Sequence, residues 1–423
     1  MQSFPCSFKR FQVLLVAITG ALCLTSTALQ AADSVVELEL MHELGADKGE
    51  QLTKLVERFN ATSKGVHITV SDQAWTVGKP DLMILGSESE AQLLARPNSF
   101  KPLFEVMAGA NTRVRTLAVP RMMSPASLDS RGRSRALPVG LGTPVMYANK
   151  QGLVQAGVDP ENLPKTWQDW QEVMGKLRQY GYSCPYTSSE PVSIFIENLS
   201  AWHNQPYVSG KKDDIAINGL MQVKHLAFMN SWVRGQYLHL FGQGNEAESQ
   251  FARGNCLTLT APSSALPTLR RQAQFDVLVS PYPYHDGAYG SPQNTLADGP
   301  SMWVAAGRTS AQYKAVAQFV SFWLTPESQV EWQVNAGYMP IDPAGLLVAT
   351  DSKLLQDQLL ANRIGIAELT HKPVTSVSGA SALAHAPGVR RVLGEEMDAV
   401  WADRKPAKQA LDDAVARIRS GRM

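Results

Sequence analysis

The turn Gly337-Tyr338-Met339-Pro340 closes a stretch, AVAQFVSFWLTPESQVEWQVNAGYMPI, in which two helical patterns meet at a Thr-Pro break. A tyrosine held at such a corner offers a ring and a hydroxyl on a stiff backbone, which suits non-covalent recognition. Side chains for bond-breaking chemistry lack the arrangements that chemistry needs: the sequence has no H-E-x-x-H, G-x-S-x-G, Walker A or C-x-x-C. His42-Glu43 has no second histidine at helical spacing. His67, His203, His225, His239, His285, His371 and His385 are scattered, so no metal site is expected. Gly242-Gln243-Gly244-Asn245-Glu246-Ala247 meets only the loosest dinucleotide fingerprint and follows no strand pattern, so it is expected to be a loop. The expectation is a binding protein that is not an enzyme and carries no cofactor.

The elements that must position these residues follow from periodicity. Val316, Phe319, Val320 and Trp323 share one helical face, Pro326 starts a second helix and Gly337 stops it. Val35 to Leu40 alternates as a strand, and Leu52, Leu55, Val56 and Phe59 mark a helix over 48–60. Val66 to Val70 and Asp81 to Leu85 are further short strands. Such a β-α-β opening predicts parallel pairing with right-handed crossovers. Ser87-Glu88-Ser89-Glu90 has capping-box spacing for a helix to Leu94, beyond a strand end where ligands of open α/β sheets bind. Further helices are expected from Thr166, over 222–233 and over 408–418. Gly140-Leu141-Gly142-Thr143-Pro144, ahead of the unit that Thr166 opens, marks a first crossing between two lobes, and the Gly/Pro/Asn-rich stretch 287–299 a crossing back.

Residues 1–32 have a basic start at Lys9 and Arg10, an apolar run and the small-residue end ALQAAD, the layout of a cleaved signal peptide. Export to the periplasm is expected, without stable membrane insertion, because no later segment approaches the ~20 apolar residues of a span. Charged residues make up 18% of the 423 and net charge is +1, which leaves no electrostatic footprint for nucleic acid. Of the four cysteines, Cys6 and Cys23 leave with the leader. For Cys184 and Cys256 an oxidising compartment favours a disulfide, two separate buried thiols being the alternative.

The stretches PKTWQDW, IENLSAWHNQP, EAESQFARGNCLTLTAPSSAL, SPQNTLADGPSMWVAAG, AGYMPI and APGVRRVLGEEMDAVWADRKPAKQALDDAV run in order over nearly all of the mature chain. With them the sequence resembles the extracellular solute-binding proteins of ABC importers, and within these the glycerol-phosphate branch, to which Asn198-Leu199-Ser200-Ala201-Trp202 and the Arg390 region point. The resemblance implies an α/β, two-lobe periplasmic binding protein of type II with hinge crossovers. One lobe would comprise 33–145 plus about 294–341, the other about 146–293 plus 342–423. It further implies a monomer that binds glycerol 3-phosphate or a related glycerophosphodiester for ABC permease subunits driven by a cytoplasmic ATPase. A ligand of another polyol or oligosaccharide type, or a sensor role beside a membrane receptor, are the alternatives.

The resemblance carries ligand roles to Arg390, Tyr338 and Gly299 and to the Ser263-Ser264 turn. Arg390 would supply a guanidinium fork, Tyr338 a hydroxyl, and Gly299 a backbone N–H that can approach an oxyanion. Elsewhere the family pattern is broken. Trp75 stands near its tyrosine, Ser87 with Glu88 beside it at its glutamate, Gly142 at a serine, Pro262 at another serine, and Glu190 in place of an aromatic platform. Glu43, next to His42, replaces a further serine. Losing a ring and gaining carboxylates would weaken the fit to glycerol and suit a polyol or a cationic head group.

Overall fold

The computed structural model describes residues 3, 35–76, 79–96, 98–112, 127–129, 131–209, 214–288, 290–339, 341, 359–375 and 388–422. The signal-peptide reading therefore lies outside the described residues.

The chain opens with β1 (Val36–His42), α1 (Gly45–Thr62), β2 (Val66–Ser71), β3 (Leu82–Leu85), α2 (Ser87–Leu94), α3 (Leu103–Gly109) and β4 (Leu137–Pro138). The anticipated face of α1, with Leu52, Leu55, Val56 and Phe59, is buried against the sheet. β1 pairs in parallel with both β2 and β3, as the β-α-β opening requires. α2 departs from the capping box. Its N-cap is Gly86, with no side-chain cap. Ser87 Oγ instead accepts a hydrogen bond from Arg390, and Glu90 is buried with its carboxylate accepting from Trp303 Nε1. Glu43 takes over the end of the helix, accepting from Gly86 N and Ser89 Oγ.

The middle of the chain forms β5 (Pro144–Asn149), α4 (Lys150–Gln155), α5 (Trp167–Tyr180), β6 (Cys184–Ser188), a π-helical turn (Ser193–Asn198) running into α6 (Leu199–Trp202), β7 (Val208–Ser209), β8 (Asp214–Ile215), α7 (Leu220–Arg234), β9 (Leu238–His239), α8 (Glu246–Ala252), β10 (Cys256–Pro262), α9 (Leu266–Gln272) and β11 (Val277–Pro281). Thr166 caps α5 by accepting from Asp169 N at 3.1 Å. Of the glycine-rich run, residues 242–245 form no regular element, as anticipated, whereas Glu246 and Ala247 open α8. Then follow β12 (Ser301–Val304), α10 (Ser310–Trp323), α11 (Pro326–Ala336), α12 (Leu360–Leu369), α13 (Val389–Trp401) and α14 (Ala407–Arg419). Thr325 caps α11, Pro326 is its first residue, and Gly337 ends it at φ 81°.

Two five-stranded sheets result, ordered β2-β1-β3-β12-β4 and β11-β5-β10-β6-β9. Each has its own core. Leu40, Phe59, Phe319, Trp323 and Trp332 belong to the first, and Trp167, Trp170, Trp232, Leu393 and Leu411 to the second. The fold is thus α/β with two lobes. The chain passes from the first sheet to the second between β4 and β5 and returns between β11 and β12. Cys184 on β6 and Cys256 on β10 are register partners in a parallel pair, with Cα atoms 4.6 Å apart, and are joined by a disulfide. Among the described residues no helix is long and apolar enough to cross a membrane, and no cluster of three or more His, Cys, Asp or Glu could hold a metal.

Candidate functional site

A cavity of about 810 Å³ opens where elements of the two lobes face each other. Its lining contains Arg390, Tyr338, Gly299 and Ser264, and also Ser87, Glu88, Gly142 and Glu190. Positions far apart in sequence are thereby brought together. Ser263 and Trp75 do not line it. Ser263 is 1% exposed, its hydroxyl accepting from Thr143 N at 3.4 Å and its backbone N–H donating to Thr143 O. Trp75 packs beside Leu85, Leu93 and Trp303, with the Arg96 guanidinium 4.7 Å from its ring centre.

Tyr338 is fixed from several sides. Its ring stacks on Trp332 at 5.9 Å, and its carbonyl accepts from Asn362 Nδ2 at 3.0 Å. A side chain at Gly140 could not coexist with it, since a Cβ there would lie 2.5 Å from the ring. Gly299 is required by close approach as well, its added Cβ falling 2.1 Å from Gly140 O. Its N–H, however, already donates to Asp298 Oδ1 at 2.7 Å.

Arg390 sits in the first turn of α13 and is heavily committed. Nε and Nη2 donate to the two oxygens of Glu197 at 2.9 and 2.7 Å, Nη2 also donates to Asp298 Oδ2 at 2.6 Å, and Nη1 donates to Ser87 Oγ at 2.6 Å. Glu197 is 3% exposed, so this bidentate pair is what satisfies a buried carboxylate. The contact with Ser87 spans the cleft from α13 to the start of α2.

Carboxylates outnumber cations in the lining: Glu43, Glu88, Glu190, Glu248, Asp298 and the Glu395–Asp398 turn of α13 face Lys48, Arg390 and Arg391. Burial, reinforced by Asp298, pushes the Glu190 carboxyl up to about 7. Burial also raises Glu248, which accepts from Ser189 Oγ at 3.4 Å. Burial alone would lower the Lys48 ammonium, but Tyr338, Glu248, Glu190 and Asp47 outweigh it and hold the group above the ordinary lysine value. Lys48 Nζ lies 4.7 Å over the Tyr338 ring and donates to Ser264 Oγ at 3.4 Å. Sequence reasoning missed Lys48, Glu197, Glu248 and Asp298. Lys48 falls on the polar side of α1, and the other three lie within the stretches that carry the resemblance, which gave no ligand role to them.

A preformed cavity between two lobes, lined by hydrogen-bonding groups from both, is the geometry of a site for a small solute. The profile of the bacterial extracellular solute-binding protein family matches residues 54–354, and the chain belongs to that family. It is 31% identical, over 95% of each chain, to the sn-glycerol-3-phosphate-binding periplasmic protein UgpB of Yersinia pestis. It is 29% identical to UgpB of Escherichia coli strain UTI89, over 94% of this chain and 95% of that protein. Among solved structures, UgpB from Mycobacterium tuberculosis in complex with glycerophosphocholine superposes with a TM-score of 0.74 at 15% identity, covering 92% of this chain and 98% of that one. Maltose-bound MalE3 of Thermotoga maritima gives 0.70 at 16%, covering 91% and 99%. The function is therefore that of a solute-binding protein of an ABC importer, without an enzymatic step.

Proposed function

We propose that the chain captures glycerol 3-phosphate or a related glycerophosphodiester in the periplasm and delivers it, as a monomer with a cleaved leader, to ABC permease subunits driven by a cytoplasmic ATPase. The observation that carries this reading is the cavity itself, in which Arg390, Tyr338, Ser264, Ser87, Gly142 and Gly299 converge from both lobes. The relatives named for sn-glycerol 3-phosphate support the same ligand class. In this reading the crossings between β4 and β5 and between β11 and β12 are the hinge. Contacts to both lobes shift the population toward the closed form that a permease recognises.

A second reading has its own support. The acidic lining, Glu190 above all, suits a neutral polyol or oligosaccharide or a cationic head group better than a bare phosphate monoester. Thermal-shift titration of the mature chain with glycerol 3-phosphate, glycerophosphocholine and maltotriose separates the two, because a ligand of the folded state raises the melting temperature by mass action. Stabilisation by the phosphate compounds is expected. Stabilisation by the sugar alone would replace the first reading with the second.

A further inference from the structure

We propose that α12 is a brace behind the hinge and Asn362 its positioning residue: by tying the turn that carries Tyr338 to the second lobe, it favours the arrangement in which the lobes have closed on a solute. The role concerns solute binding as such and holds for whichever solute the cavity takes.

The packing of α12 is divided between the lobes. Leu360, Ala361 and Ile364 pack into a core cluster of the second lobe with Val145, Tyr147 and Leu259, whereas Ile366 and Leu369 pack into the core of the first. One helix of ten residues therefore enters both. Parting the lobes at this point would return that apolar surface to water, so the helix resists their separation.

The other contacts of α12 fall on every passage between the lobes. Three passages run side by side: Gly142 N donates to Asp298 O at 2.8 Å, Asp298 N donates to Gly142 O at 2.9 Å, and Met339 N donates to Leu141 O at 2.8 Å. The helix lies against all of them. Asn362 Nδ2 donates to Tyr338 O at 3.0 Å, Gly365 approaches Thr143 so closely that a Cβ would lie 2.7 Å from Thr143 Cγ2, and Glu368 O accepts from Thr295 N at 3.4 Å. Glu368 Oε1 also accepts from Tyr282 N at 2.6 Å, directly after β11. The same passages give Gly142, Thr143, Asp298, Gly299 and Tyr338 to the cavity lining, which no residue of α12 reaches.

The direction of the effect follows from the front of the cleft. Arg390 Nη1 donates to Ser87 Oγ at 2.6 Å and Lys48 Nζ to Ser264 Oγ at 3.4 Å, so side chains of opposite lobes meet across the cavity while α12 is engaged behind it. Its contacts thus belong to the closed arrangement, and loosening them favours an open one. Asn362 bears on the solute most directly, because its partner is the backbone of a residue that lines the cavity. Its Oδ1 is buried without a hydrogen-bond partner, so an apolar side chain of like size removes the donor and strands only the Tyr338 carbonyl.

The test combines small-angle scattering of the unliganded mature chain with calorimetric titration by glycerol 3-phosphate, glycerophosphocholine and maltotriose, for the parent, Asn362→Leu and Gly365→Ala. Asn362→Leu is expected to raise the radius of gyration and to weaken every solute the parent binds by the same factor, roughly five- to ten-fold, as the loss of one buried hydrogen bond implies. A common factor for unlike solutes marks a hinge, since a lost ligand contact would single out one of them. Should Asn362→Leu not fold, Gly365→Ala, which drives α12 off Thr143, is read by the same criteria, and if none of the three solutes binds the parent, scattering alone decides. Unchanged scattering, affinities within about two-fold of the parent, or tighter binding would overturn the brace. A parent chain that binds maltotriose and neither phosphate compound would overturn the phosphate reading and leave the brace standing.

Discussion

Glu190 stands at φ 44°, a left-handed position that few side chains other than Asn and Asp occupy readily, with its N–H donating to Gly244 O at 2.7 Å. Its carboxyl faces the cavity and is raised from 4.5 to about 7, burial being the main cause. Between those values the folded chain keeps a proton that the unfolded chain has released. The stability this contributes is complete below about 4.5 and is lost as pH rises through about 7. Glu190→Gln removes the titration, so the melting temperature of the variant relative to the parent should climb between about pH 5 and about pH 8. A difference that stays flat over that interval would show that Glu190 does not hold the proton. At this scale the sequence was partly legible. Arg390 and Tyr338 could be singled out because their chemistry and their motifs coincide, whereas the isolated Lys48 could not be told from a solvated lysine without knowing which face of α1 meets the second lobe.

Among the elements, α11 and its terminating turn do most to aim a side chain into the cleft. A Cβ at Gly337 would lie 2.5 Å from Ser264 O and 2.7 Å from Pro267 Cδ, on a backbone already at φ 81°. Gly337→Ala should therefore destabilise the chain by about 1–3 kcal/mol and also weaken solute binding, since relieving the clash moves Tyr338. Urea denaturation and titration of the same sample check the two effects, and a variant that melts and binds like the parent would refute the close approach. Helices with an apolar stripe, such as α1, α14 and the Thr166-capped α5, were readable because the signals lie within the element itself. The start of α2 was not. Ser87 and Glu90 have the right spacing for a capping box, yet one is claimed by Arg390, 303 residues away, and the other by Trp303, 213 residues away. Tertiary partners of that kind leave no local trace. The same applies to Trp75, half-buried against the cluster of Leu85, Leu93 and Trp303, and to Ser263, buried behind the lining on Thr143.

For the molecule as a whole, the disulfide is the strongest covalent constraint among the described residues. It fixes β6 against β10 at the centre of the second sheet across 72 residues. Replacing both cysteines, Cys184→Ala with Cys256→Ala, should lower the unfolding free energy by about 2–4 kcal/mol, chiefly by freeing the unfolded chain. Equilibrium denaturation under non-reducing conditions measures it, and equal midpoints for parent and variant would count against the bridge.

The first sheet has a further consequence, which concerns time. Its order β2-β1-β3-β12-β4 places a strand from residues 301–304 between β3 and β4, which end at residues 85 and 138. A chain emerging from the ribosome or through a translocation pore, amino end first, cannot join those two strands until the whole of the second sheet has followed. The amino-terminal lobe is therefore the first to be synthesised and among the last to be sealed, and until then its hydrophobic face is kept from premature closure by topology alone.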